Sequence, residues 1–180
     1  MTTLTNQITI AAPRRAVWQT LTSLDLLDQY DPGVRSSTLV GDVSTGPGAQ
    51  RRCELRPAGW FIEQVTLWQP DHALAFELVT CSLPVANLRH EYTLTQQGPF
   101  QDSSTQQVVH QNPGPNEVRT PDQEAAHTVV TQVMTYTLKY GPAGQILDAV
   151  VMRRQWDRGI KGFMHGLQRY VQTQHDATAR

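Results

Sequence analysis

The stretch after Gly144 constrains the fold most, because its apolar residues recur with the period of a helix as far as about Gln174. A helix of roughly thirty residues is about 45 Å long, which is enough to cross a whole sheet. One face of it carries Ala149, Met152, Trp156, Ile160, Phe163, Leu167 and Tyr170. The opposite side carries polar residues such as Arg154 and Lys161. The apolar face must therefore cover an apolar surface elsewhere in the fold.

Three glycines, Gly159, Gly162 and Gly166, lie beside this apolar face. Each glycine inside a helix costs about 1 kcal/mol relative to alanine, so another gain must offset them. One explanation is close approach of the helix to another part of the chain. The other is that the missing side chains leave room for a ligand. The sequence is compatible with both.

The chain between Val34 and Tyr140 has the period-two alternation of β-strands, interrupted by turn clusters such as Ser44 to Gly48. We predict strands at 34–42, 49–56, 60–68, 73–81, 87–96 and 128–140, with a further strand at 4–10. The connections are mostly short, which makes neighbouring strands antiparallel. This pattern predicts a meander.

Two short helices are expected between the first strand and the meander. Pro13 suits the first position of a helix, where its missing N–H costs nothing. Ser23 is a candidate cap for a second helix that runs to Tyr30, and Pro32 then ends it. The predicted fold class is α+β.

A polar stretch separates the last two predicted strands. Residues 98–127 are rich in Gln, Pro, Asn, Ser and Asp and hold too few apolar groups to pack on their own. We predict a flexible loop inserted into a single domain that spans residues 1–180, with a lid over a cavity as the alternative.

The composition excludes several classes of function. A formal net charge of −1 offers no general field for nucleic acid, and no stretch approaches the ~20 apolar residues of a membrane span. The N-terminus lacks the pattern of a signal peptide, which predicts a cytoplasmic protein without integral membrane association. Cys53 and Cys81 have no metal-ligand spacing and the histidines are scattered, so we expect two reduced thiols, no metal and no cofactor. Nothing in the sequence indicates the oligomeric state.

Local motifs add a family resemblance to this order of elements. They lie at Ile10 to Trp18 (IAAPRRAVW), Gly46 to Cys53 (GPGAQRRC), Trp60 to Val65 (WFIEQV, followed by Trp68-Gln69-Pro70) and Lys139 to Gly144 (KYGPAG). Together they resemble the START-like helix-grip (SRPBCC) superfamily, in its polyketide cyclase/dehydrase-like branch. The resemblance implies a curved antiparallel sheet wrapped around the long C-terminal helix, with a cavity that takes lipids, polyketides or other apolar molecules. Some members catalyse cyclisation or dehydration and many only bind.

Strand alternation predicts which side chains face the cavity. Placing Glu77 in solvent turns Phe76 inward, and the same alternation turns His90 and Tyr92 inward on the next strand. His90 and Tyr92 are then either an acid–base pair or ordinary core residues. On the last strand, Met134, Tyr136, Leu138 and Tyr140 form the set predicted to face the helix.

The strand at 60–68 does not settle the orientation of Glu63. It shares a face with Phe61, Val65 and Leu67, whereas Trp60 and Trp68 lie on the other. Facing inward, Glu63 would be a general base or an anchor for the polar end of a ligand. Facing outward, it would be an ordinary surface glutamate. The arginines at 51, 52 and 56 are expected on solvated faces.

The sequence and the family resemblance together suggest three candidate functions. The first is binding of a hydrophobic small molecule by a carrier or sensor, with Phe61, Phe76, His90, Tyr92, Met134, Tyr136, Trp156, Ile160 and Phe163 as ligand-binding residues. The second is a polyketide cyclase or dehydratase, whose candidate catalytic residues are His90, Tyr92, Tyr136 and Glu63. The third is a protein- or membrane-docking module that uses the C-terminal helix.

Overall fold

The computed structural model describes residues 1–97, 127–139 and 152–178. The predicted loop at 98–127 lies outside the described residues, apart from His127, which begins a strand. Tyr140, Ala149 and the predicted start of the long helix also lie outside them.

The described residues form one curved antiparallel sheet of seven strands in the order β1-β7-β6-β5-β4-β3-β2. The strands are β1 (Thr2–Ile10), β2 (Val34–Val40), β3 (Gln50–Leu55), β4 (Trp60–Gln69), β5 (Ala73–Cys81), β6 (Val85–Gln97) and β7 (His127–Leu138). From β2 to β7, each strand pairs antiparallel with the next strand along the chain. The first strand, β1, lies at the edge of the sheet and pairs antiparallel with β7. The predicted meander is confirmed.

Short helices connect β1 to β2, as expected. They are α1 (Arg14–Thr22), a 3-10 turn (Leu24–Leu26) and α2 (Leu27–Tyr30). The predicted cap by Ser23 is wrong. Its hydroxyl donates to the carbonyl of Gln19 at 2.8 Å and its backbone N–H donates to the same oxygen at 3.1 Å. Ser23 therefore closes the end of α1 and leaves the next turn without a side-chain cap.

The long helix α3 (Arg153–Thr178) packs its predicted apolar face inward. Ile160, Phe163 and Leu167 are at most 5% exposed. Met164 and Val171 are equally buried, so the apolar stripe is wider than the sequence pattern indicated. Among the described residues, no helix has the length and apolar character needed to cross a bilayer.

The three glycines of α3 meet three different surroundings. At Gly166 an added Cβ would overlap the carbonyl oxygen of Tyr30, and at Gly162 it would lie 3.3 Å from Cγ of Pro32. At Gly159 no atom of the described residues lies within 4 Å of that position. Close approach therefore explains Gly162 and Gly166, and open space surrounds Gly159.

Candidate functional site

A cavity of about 150 Å³ lies between the concave face of the sheet and α3. Its apolar wall consists of Leu27, Val34, Leu55, Phe61, Leu88, Met134, Trp156, Ile160 and Phe163, with Gly33 and Gly159. Its polar wall consists of Asp31, Arg51, Glu63, His90, Tyr92 and Gln132. An apolar chamber with a few converging polar groups is the usual form of a small-molecule site.

The structure places seven of the nine predicted ligand-binding residues on this wall. They are Phe61, His90, Tyr92, Met134, Trp156, Ile160 and Phe163. Phe76 and Tyr136 do not line the cavity. Phe76 lies behind Arg51, whose guanidinium carbon is 4.3 Å from its ring centroid, and Tyr136 is 1% exposed and stacks against Trp156. Both side chains lie on the predicted face of the sheet, opposite the lining residues His90 and Leu88 on β6, but they do not reach the cavity.

The most unusual polar feature of the wall is a buried ion pair between Arg51 and Glu63. The two residues are directly opposite each other on β3 and β4. Oε1 of Glu63 accepts from Nε of Arg51 at 2.7 Å and lies 2.6 Å from Nη2. Both side chains are at most 4% exposed. Each charge is therefore balanced by the other away from solvent.

This pair corrects two expectations drawn from the sequence. Arg51 does not lie on a solvated face, because a carboxylate on the neighbouring strand compensates its charge. Glu63 faces inward, so the surface alternative is wrong. Its Oε1 is committed to Arg51, however, which makes it the counter-ion of the arginine and leaves it poorly placed to act as a general base.

Arg51 is positively charged in the folded protein. Burial alone would lower its pKa, but the carboxylate of Glu63 and smaller contributions from Cys53, Tyr30 and Tyr92 raise the pKa above its ordinary value. The arginine therefore remains protonated. Its Nη1 atom is buried and has no hydrogen-bond partner in the part of the chain that the structure describes.

A second polar cluster joins His90, Tyr92 and Gln132. Nε2 of Gln132 lies 3.2 Å from Nδ1 of His90 and donates to the hydroxyl of Tyr92, also at 3.2 Å. Burial raises the pKa of Tyr92 well above its usual value, so its hydroxyl stays protonated. Oε1 of Gln132 is buried, and none of the described residues donates a hydrogen bond to it.

Asp31 lies on the wall among the short connections before β2. Its Oδ1 accepts from the N–H of Gly33 at 2.8 Å. Burial raises the pKa of this carboxyl, although the bond from Gly33 opposes the shift. Asp31 therefore adds a second carboxyl group to the polar side of the cavity.

Burial lowers the pKa of His90, and the charge of Glu63 only partly opposes this. The unfolded chain, with a histidine pKa of about 6.5, therefore binds more protons than the folded chain just below that pH. We therefore expect His90 to lower the free energy of unfolding as the pH falls below ~6.5, by at most about 1.4 kcal/mol per pH unit. The decrease levels off below the pKa of His90 in the folded protein. Urea denaturation of the wild type and His90→Gln across pH measures it, and identical pH dependence in both would contradict it.

The comparison with protein families decides the classification. Residues 1–172 match the family described as polyketide cyclase/dehydrase and lipid transport. The chain belongs to this family. A comparison with curated protein sequences gave no match.

Solved structures with a similar fold confirm that this member of the polyketide cyclase/dehydrase family has the predicted helix-grip fold. A START superfamily protein from Mycobacterium smegmatis is 11% identical with a TM-score of 0.66, covering 95% of this chain and 97% of its own. A Thermus thermophilus protein is 15% identical with a TM-score of 0.67, covering 96% and 98%. The Zhui aromatase/cyclase from a Streptomyces species is 15% identical with a TM-score of 0.60, covering 95% and 93%. At such identities the likeness shows the fold.

Sequence reasoning missed three polar residues of the wall, Asp31, Arg51 and Gln132. The sequence carried a signal for two of them. Arg51 shares its period-two face with the apolar Cys53, and Gln132 shares its own with Met134. A polar residue in phase with an apolar face is a candidate for the wall.

Proposed function

We propose that this member of the family binds a small hydrophobic molecule in the cavity, as a carrier or sensor. The apolar chamber under α3 carries this proposal. Nine apolar side chains supply the wall, and a few polar groups on one side are enough to orient a ligand.

The volume of the cavity favours a compact ligand. At about 150 Å³ it is smaller than the ~300–1,000 Å³ typical of sites for drug-sized molecules. Four aromatic side chains, those of Phe61, Tyr92, Trp156 and Phe163, line the cavity, and the rings of Tyr92 and Phe163 lie 5.6 Å apart between centroids, which suits a flat aromatic ligand. A molecule of one or two aromatic rings fits these features better than a whole membrane lipid.

Filling the cavity from Gly159 should weaken binding strongly. This residue lines the chamber, and within the described ranges no atom lies within 4 Å of where its side chain would begin. We expect Gly159→Phe to weaken binding of acetylnaphthalene, a two-ring ketone, by at least about tenfold, because the new ring occupies the space of the ligand. Fluorescence titration measures the dissociation constants.

The matched control is Lys161→Phe, which adds the same ring two residues away. The side chain of Lys161 is 60% exposed, so this variant should bind as the wild type does. Equal affinity in Gly159→Phe and the wild type would contradict ligand binding in this chamber.

A cyclase or dehydratase is the second candidate, favoured by the cluster of His90, Tyr92 and Gln132. Burial keeps His90 neutral near pH 7, as a general base must be, and the protonated Tyr92 is available as a donor. His90→Ala separates the two functions. An enzyme would lose turnover of an aromatic polyketide-like substrate and retain the ligand, whereas a carrier has no turnover to lose.

The docking-module hypothesis gains no support. Its apolar surface would have to be exposed on α3, but Ile160, Phe163 and Leu167 are buried against the sheet.

A further inference from the structure

Three buried polar atoms on the cavity wall have no hydrogen-bond partner among the described residues. Nη1 of Arg51 and Nε1 of Trp156 are donors, and Oε1 of Gln132 is an acceptor. Arg51 and Gln132 are 4% and 2% exposed, and all three residues line the chamber. A buried polar group without a hydrogen bond costs free energy, which a ligand recovers if it supplies the complementary atom. These atoms favour a ligand that supplies two acceptors and one donor, as a ketone oxygen and a hydroxyl group together do.

The charges on the wall restrict which acceptor fits. Among the described residues that line the cavity, Arg51 is the one fixed cation, and Oε1 of Glu63 lies 2.6 Å from its Nη2. Asp31 adds a further carboxyl, and His90 is neutral near pH 7. A carboxylate ligand would have to share Arg51 with Glu63 and face its repulsion. A carbonyl oxygen accepts from Nη1 without adding a charge.

We infer that the cavity selects a neutral hydroxylated aromatic ketone over the corresponding carboxylate. Its carbonyl oxygen accepts from Nη1 of Arg51, and its hydroxyl donates to Oε1 of Gln132. This inference rests on the proposed function and adds the chemistry of the polar end of the ligand. Glu63 is then a specificity-determining residue, because it cancels the charge that would otherwise attract an anion.

Three matched probes test the inference at pH 7. They are a hydroxylated acetylnaphthalene, acetylnaphthalene without the hydroxyl, and the hydroxynaphthoate in which a carboxylate replaces the acetyl group. In the wild type we expect loss of the hydroxyl to weaken binding about five- to tenfold. We expect the carboxylate to weaken it at least about tenfold, as measured by fluorescence titration.

Two variants assign these preferences to residues. Gln132→Met removes the acceptor, so the two ketones should then bind within about twofold of each other. Glu63→Gln frees the charge of Arg51, so the naphthoate should gain at least about tenfold and overtake the hydroxyketone. The matched control is Glu54→Gln, which alters an exposed pair with Arg52 and should leave all three affinities unchanged.

The outcomes separate this inference from the proposed function. If all three probes bind equally and Gly159→Phe blocks them, the chamber binds hydrophobic molecules and the inferred selectivity is wrong. Tightest binding of the naphthoate to the wild type would also overturn the inference. If none of the probes binds, both proposals fail for aromatic ligands of this size. Should Glu63→Gln not fold, the wild-type ranking and Gln132→Met decide the matter.

Discussion

Replacing Glu63 with glutamine is expected to lower the free energy of unfolding by about 3–5 kcal/mol at pH 7. The variant leaves the guanidinium of Arg51 inside the protein without the carboxylate that lies 2.6 Å from it. The guanidinium of Arg51 also lies over the ring of Phe76. Among the described residues, Arg51 forms no ion pair other than the one with Glu63. Urea denaturation of the wild type and the variant measures the difference.

Two further variants show whether the buried charge is the cause. Glu54→Gln breaks the pair with Arg52, in which both side chains are more than a third exposed, and should cost less than about 1 kcal/mol. The double variant Arg51→Met with Glu63→Leu removes both buried charges and should recover most of the stability that Glu63→Gln loses. A loss below about 1 kcal/mol in Glu63→Gln would contradict the account of this pair.

The second large effect is expected at Gly166. A Cβ at this position would lie far inside van der Waals contact with the carbonyl oxygen of Tyr30, and backbone cannot turn aside as a flexible side chain can. Gly166→Ala should therefore cost about 3 kcal/mol or more, since overpacking outweighs the ~1 kcal/mol that alanine contributes to a helix. Thermal and urea denaturation measure the change.

Gly159→Ala is the matched control for this effect. It places the same methyl group in the same helix, seven residues away, where the described part of the chain has no atom within 4 Å. We expect it to stabilise the protein by up to about 1 kcal/mol, because only the helix propensity changes. Equal effects at Gly159 and Gly166 would show that the approach of α3 to Tyr30 is not a close contact.

Much of the fold follows from local patterns in the sequence. The turn clusters placed β3, β4 and β5 to within about two residues, because Gly and Pro interrupt strands for steric reasons that need no tertiary information. Alternation on β6 also turned His90 and Tyr92 toward the cavity, since residues two apart on a strand share a face.

The polar side of the site could not be predicted in the same way. Arg51 is buried because Glu63 lies opposite it on the next strand, and cross-strand register is a property of two segments together. A charged residue taken alone is expected in solvent. Gln132 likewise acquires its role only when β6 brings His90 and Tyr92 beside it.

The surroundings of the glycines in α3 could not be predicted from the sequence either. Their spacing indicated close approach or space for a ligand, but which of the two applies depends on the element that faces each glycine. The connection at Tyr30 and Pro32 occupies the space at Gly166 and Gly162, whereas Gly159 lines the cavity and has no described atom within 4 Å of where its Cβ would lie. One sequence pattern thus has two physical causes in a single helix.

The central claim is that the chamber under α3 binds an aromatic molecule, and methyl NMR during titration with acetylnaphthalene tests it most directly. We expect the largest shift changes at the methyl groups of Met134, Ile160 and Leu88, which line the chamber. The exposed Val79 on the sheet and Val171 in the groove between α1 and α3 should not respond. Changes confined to Val79 or Val171, or no changes at all, would contradict the claim.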